Sequence, residues 1–172
     1  MAQTIRLVSE FSFPAALFHN AQVSTEYWQA RVAELDGPHA ELSIHRDATG
    51  VLATVSKPVA PERIPSRLSK VWPSGLRLDY SEHWSPLVDG LARAEVRADI
   101  AAVSTMSGAC ELRDTADGCV CEYVVTVDSG IPMAGRLIAG AVAKSIIEDS
   151  GAVDAFTERW LTARGEEFPD GR

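Results

Sequence analysis

The chain has 172 residues and a net charge of −8, with 46% hydrophobic and 23% charged residues. That length suits one domain with a real core, burying roughly 70% of the surface its unfolded chain would expose. The acidic balance argues against nucleic-acid binding, which needs a basic face, and against attraction to anionic lipid surfaces. The sequence holds no run of about 18 apolar residues of the kind that spans a membrane. The opening MAQTIRLVSEF lacks the charged and apolar regions of a secretory signal, and the three cysteines are an odd number. The expectation is a cytoplasmic protein with free thiols.

Thr4 to Phe13 alternates, with Ile5, Leu7, Phe11 and Phe13 on one face and Ser9 as the polar lapse on that face. This is a half-buried strand, ended by Pro14. A short helix follows from Ala15 to Asn20. Ser24 then caps a second helix, whose apolar stripe is Trp28, Val32 and Leu35, and Asp36-Gly37-Pro38 ends it. Leu42 and Ile44 alternate with polar residues in the next strand. The turn Asp47-Ala48-Thr49-Gly50 returns the chain along Val51 to Lys57. Residues 58–75 hold four prolines and read as a connector with one short helix at Ser66 to Val71.

Four further strands follow. Leu76, Leu78, Tyr80, Glu82 and Trp84 share one face; Ala92, Ala94, Val96 and Ala98 alternate against charged residues; Val103 to Arg113 and Cys119 to Asp128 form a long hairpin. From Pro132, placed in the first turn, a helix runs to Ala163 with Ile138, Val142, Ile146, Val153, Phe156 and Trp160 on one stripe. Its first half is lined with small residues: Ala134, Gly135, Ala139, Gly140, Ala141 and Ala143. Residues 1–163 therefore form a single domain and residues 164–172 a polar tail. The fold class is α+β: seven antiparallel strands in a curved sheet, two short helices after the first strand, and a long C-terminal helix across the concave side.

This order resembles the START-like, or helix-grip, superfamily of polyketide cyclase-like and lipid-transfer domains, and more closely a bacterial family of uncharacterised domains. FSFPAALFHNAQVSTEYWQARVAEL, the Pro-rich connector into DYSEHW, and VVTVDSGIPMAGRLIAGAVAKSI followed by FTERWL carry the resemblance, which spans Ile5 to Ala163. It implies a cavity between sheet and long helix that takes a hydrophobic small molecule, lipid or polyketide-like. It implies no metal, nucleotide or redox cofactor. A homodimer is compatible with it.

The residues expected to line such a cavity are Tyr80, Glu82, Trp84, Met106, Gly108, Cys110, Tyr123, Ile138 and Val142. The three aromatics each pair an apolar body with a polar tip. Glu82 is the candidate general acid or base, because aromatic surroundings disfavour a charged carboxylate. Pairing with an arginine is the structural alternative. Gly108 either opens space or marks a bulge. Cys110, Cys119 and Cys121 share a patch, but a one-residue spacing without a fourth ligand reads as core thiols rather than zinc. His39, His45 and His83 fall on outward faces or strand starts, and His19 approaches the cavity mouth. Three functions follow: a non-catalytic binder of a hydrophobic molecule; a cyclase or dehydratase using Glu82 with Tyr80 assisting; or a filled domain that meets a partner chain.

Overall fold

The computed structural model describes residues 2–60, 62, 75–101 and 103–167, with side chains as far as residue 164. Seven strands form one antiparallel sheet: β1 (Gln3–Phe11), β2 (Glu41–Asp47), β3 (Gly50–Pro58), β4 (Arg77–Trp84), β5 (Leu91–Ile100), β6 (Ser104–Thr115) and β7 (Gly118–Asp128). Their spatial order is β1-β7-β6-β5-β4-β3-β2, so the chain's first strand closes the edge beside its last. Helices α1 (Ala15–Gln22) and α2 (Thr25–Leu35) follow β1, and α3 (Gly135–Glu167) follows β7. The expected helix at Ser66 to Val71 lies outside the described residues.

Local chemistry sets these boundaries. The Ser24 hydroxyl accepts the Tyr27 amide at 3.3 Å and starts α2. Strand β1 stops at Phe11, two residues before the expected Phe13, because its ladder with β7 ends at the pair Phe11–Cys119. The cause lies in the β6–β7 hairpin. Gly118 begins β7 with the backbone of Phe11 pressed against it, and a side chain there would meet the Phe11 carbonyl oxygen at 2.0 Å. Pro132 does not sit in the first turn of α3. Met133 has φ of 63°, a left-handed conformation that interrupts any helix before it, and α3 begins at Gly135, whose amide bonds to the Ile131 carbonyl at 2.8 Å. The helix also runs past Ala163, to Glu167.

Alternation along β4 to β7 carries one face inward. Paired across the sheet, Trp84, Ala94, Cys110, Tyr123 and Leu7 form one inner row, and Tyr80, Ala98, Met106 and Val127 form another. The interior has two main parts. Beneath α1, α2 and the end of α3, a tightly filled cluster joins Phe11, Phe18, Tyr27, Trp28, Trp84, Leu112 and Phe156. Toward the start of α3, Ile5, Val96, Val125 and Val127 meet Ala139 and Ala143. Tyr123 packs against both. The backbone of α3 approaches the sheet most closely at β1 and β7, while β5 and β6 offer mainly small groups inward: Ala92, Ala94, Ala98 and Gly108.

Candidate functional site

The polar centre of the interior is built by α2 and β4. Within α2 the buried positions are Tyr27, Trp28, Arg31 and Val32, a spacing that puts Arg31 in the middle of the apolar stripe. Glu82 occupies the inward face of β4 between Tyr80 and Trp84, as its alternation requires. Both side chains are buried, 9% exposed for Arg31 and 7% for Glu82, and Arg31 Nη1 lies 3.5 Å from Glu82 Oε1. The other carboxylate oxygen accepts the Trp84 indole N–H at 3.0 Å. The guanidinium also lies over the rings of Trp28 and Tyr80, at 4.5 and 5.7 Å. Burial by itself pushes the guanidinium down, but the charge of groups facing it, Glu82 among them, outweighs that and raises it above its ordinary value, so it stays charged. Burial pushes the phenols of Tyr80 and Tyr123 up, so both stay protonated.

A second polar chain ties α1, α2 and α3 together. Gln22 Nε2 donates to the Tyr27 hydroxyl at 3.3 Å, the phenol meets Thr157 Oγ1 at 2.7 Å, and Thr157 donates to the Val153 carbonyl at 2.8 Å. Nearby, Ser9 donates to Asp154 Oδ2 at 2.5 Å, which accounts for the polar lapse in β1. Burial raises the Asp154 carboxyl, partly opposed by that hydrogen bond.

The cysteines are free and buried. The register pairs Cys110 with Tyr123 and Leu112 with Cys121, so the two cysteines are not directly opposite. They meet on the diagonal, with their sulfurs 2.7 Å apart. Burial pushes Cys119 up to about 11 and raises Cys121 further with the help of Cys110. Such thiols are protonated and poor nucleophiles. Among the described residues no group of His, Cys, Asp and Glu is placed to hold a metal.

The other expected residues divide between the two parts of the interior. Trp84 and Cys110 lie in the filled cluster at 0% and 1% exposure, and Tyr80 packs at its border. Met106 and Val142 pack at half-burial on the second part, with Ile138 buried beside them. At Gly108 a side chain would lie 2.2 Å from the Val124 carbonyl oxygen: the pairing there is unbroken, and the glycine answers a close approach of β7 rather than a bulge. A cavity of about 480 Å³ opens beside the start of α3, lined by Ile100, Val103, Ser104 and Ile131 under a rim that includes Asp99 and Asp128. A smaller one of about 280 Å³ lies over Trp84, where His19 binds the Ser85 carbonyl at 2.8 Å. None of the nine expected liners except Trp84 reaches either opening. Arg31 is the residue that reading the sequence missed. Its signal was a lone charge at the centre of a helical apolar stripe.

A protein-family model described as "Protein of unknown function (DUF2505)" matches residues 6–161. No curated protein matches the chain. Among solved structures the chain is similar to the protein TTHA0849 from Thermus thermophilus, at 15% identity and a TM-score of 0.63, covering 94% of this chain and 99% of that one. It is also similar to Ara h 8.0201, at 13% identity and a TM-score of 0.61, with 95% and 99% covered. A third likeness is to a point mutant of norcoclaurine synthase from Thalictrum flavum in complex with a transition-state analogue, at 13% identity and a TM-score of 0.55, with 95% and 96% covered. These likenesses establish the START-like helix-grip fold. No helix among the described residues is long and apolar enough to cross a membrane.

Proposed function

We propose that this chain, which belongs to the DUF2505 family, binds a hydrophobic small molecule between the concave sheet and α3. One observation carries the reading. Tyr80, Ala98 and Met106 face inward along one row of the sheet and yet remain only half-buried, whereas the same face is sealed at Trp84, Ala94, Cys110 and Leu112. Small groups on β5 and β6, together with a helix that runs closest to β1 and β7, are what a ligand lying over that part of the sheet would need. A mostly apolar wall with a few placed polar groups is the character of a ligand site. The norcoclaurine synthase relative holds a small molecule on the same fold, which is consistent with this use.

The state of Glu82 weighs against the acid–base reading. A general acid or base must reach its substrate. Here one oxygen of Glu82 faces Arg31 and the other holds Trp84.

The test is thermal unfolding against a library of lipids and aromatic polyketide-like compounds, with native mass spectrometry of the freshly purified chain. A ligand present at 100 times its Kd adds about 2.7 kcal/mol of stability and raises Tm by several degrees. No shift across the library and no retained mass defeat the proposal.

A further inference from the structure

Arg31 brings five N–H donors into the interior. The guanidinium lies over the rings of Trp28 and Tyr80, at 4.5 and 5.7 Å, and those rings are only 6.3 Å apart and tilted by 45°, so both stand to one side of it and do not enclose it. Glu82 stands 3.5 Å from Arg31 Nη1, an ion pair longer than a well-formed N–H···O hydrogen bond. Among the described residues the guanidinium donates no hydrogen bond, and the Tyr80 hydroxyl has none either. Neither residue's donors belong to the fully buried polar atoms without a partner, which among the described residues are Gln22 Oε1 and Asp36 Oδ2, so these donors keep contact with accessible space from which water or a ligand can supply the acceptor.

Charge decides which acceptor fits. Glu82 already balances the guanidinium, and Asp154 is close enough to feel Arg31 as well. A ligand carboxylate would set a further anion against one cation in a desolvated space, where excess charge is unfavourable. A neutral carbonyl oxygen accepts the free donors and adds no charge. We infer that Arg31 and Tyr80 form the polar end of the ligand site and hold the carbonyl oxygen of an otherwise apolar molecule, a ketone in preference to a carboxylic acid or a hydrocarbon. This rests on the ligand-binding reading above and names the chemistry of that same site.

Three shape-matched probes test it on the full chain: acetylnaphthalene, ethylnaphthalene and naphthoate, titrated by calorimetry. The ketone is expected to bind about tenfold more tightly than the other two, the size of one hydrogen bond to a charged donor. Arg31→Met brings the ketone down to the level of ethylnaphthalene and leaves ethylnaphthalene unchanged. Glu82→Gln keeps the shape of the side chain and removes its charge; naphthoate then gains and overtakes ethylnaphthalene. If Arg31→Met does not fold, the Glu82→Gln result decides alone. Equal binding of ketone and hydrocarbon to the unaltered chain overturns the inference, as does an Arg31→Met loss shared by both or a Glu82→Gln variant that still rejects naphthoate. Binding of none of the three, with a library compound still raising Tm, overturns this inference and leaves the binder reading standing. Silence from both experiments overturns both.

Discussion

The two parts of the interior share one sheet and use it differently. Under α1 and α2, large rings fill the space: Phe11 and Phe18 lie 5.0 Å apart, Tyr27 and Phe156 5.6 Å apart, and Trp28 and Trp84 are wholly buried. The polar tips of the rings there are paired, with the Trp28 indole bonding to the Gln22 carbonyl at 2.7 Å and the Tyr27 hydroxyl to Thr157. Toward the start of α3 the helix contributes Ala139 and Ala143 with the half-buried Val142 and Ile146, and the sheet residues Leu7 and Met106 facing it are also only half-buried. The contrast is between a part packed with large rings and a part where helix and sheet side chains meet at half-burial. Arg31 stands at the junction, and its charge is confined there because Glu82 faces it from β4.

Substitutions can break or sharpen that contrast. Trp84→Ala, in the filled part, should cost about 3–5 kcal/mol in chemical denaturation, since the cavity left behind cannot collapse. At the junction, Arg31→Met should cost a comparable roughly 3–5 kcal/mol by stranding the Glu82 carboxylate, and most of that should return in the double variant Arg31→Met/Glu82→Leu. A double variant no more stable than the single one would show that Arg31 matters through packing and not through the ion pair.

Gly108→Ala should cost about 1–3 kcal/mol, because the added methyl meets the backbone of β7 rather than open space. Met106→Ala, on the half-buried side, should cost only about 1 kcal/mol, well below the usual penalty for a buried methionine. A loss equal to that of Trp84→Ala would erase the difference between the two parts. The smallest effect expected is at Asp154. Its folded carboxyl is raised above the unfolded value, so the native state holds the proton more tightly. The stability this brings is present below the unfolded pKa of about 3.9 and is lost as pH rises through the folded value. Asp154→Asn should therefore stabilise the protein at pH 7, by less than about 1 kcal/mol given its partial exposure, and leave it unchanged near pH 3. A gain that does not vary with pH would assign the effect to packing.

Strand alternation, the Ser24 cap and the helical stripe of α3 were all legible before any coordinates, because each is a local pattern with a fixed period of two or 3.6 residues. The same periodicity placed Glu82 and Tyr80 inward. It could not show that Arg31, on an element about fifty residues earlier, comes to face Glu82. Nor could it show that Ser9 and Asp154 meet from opposite ends of the chain, or that two cysteines out of register touch on the diagonal. Those pairings depend on how helices lie across the sheet, and a charged residue's partner is set by proximity in space. The sequence determined which residues turn inward; tertiary packing decided which of them are paired, which are sealed, and which are left facing room.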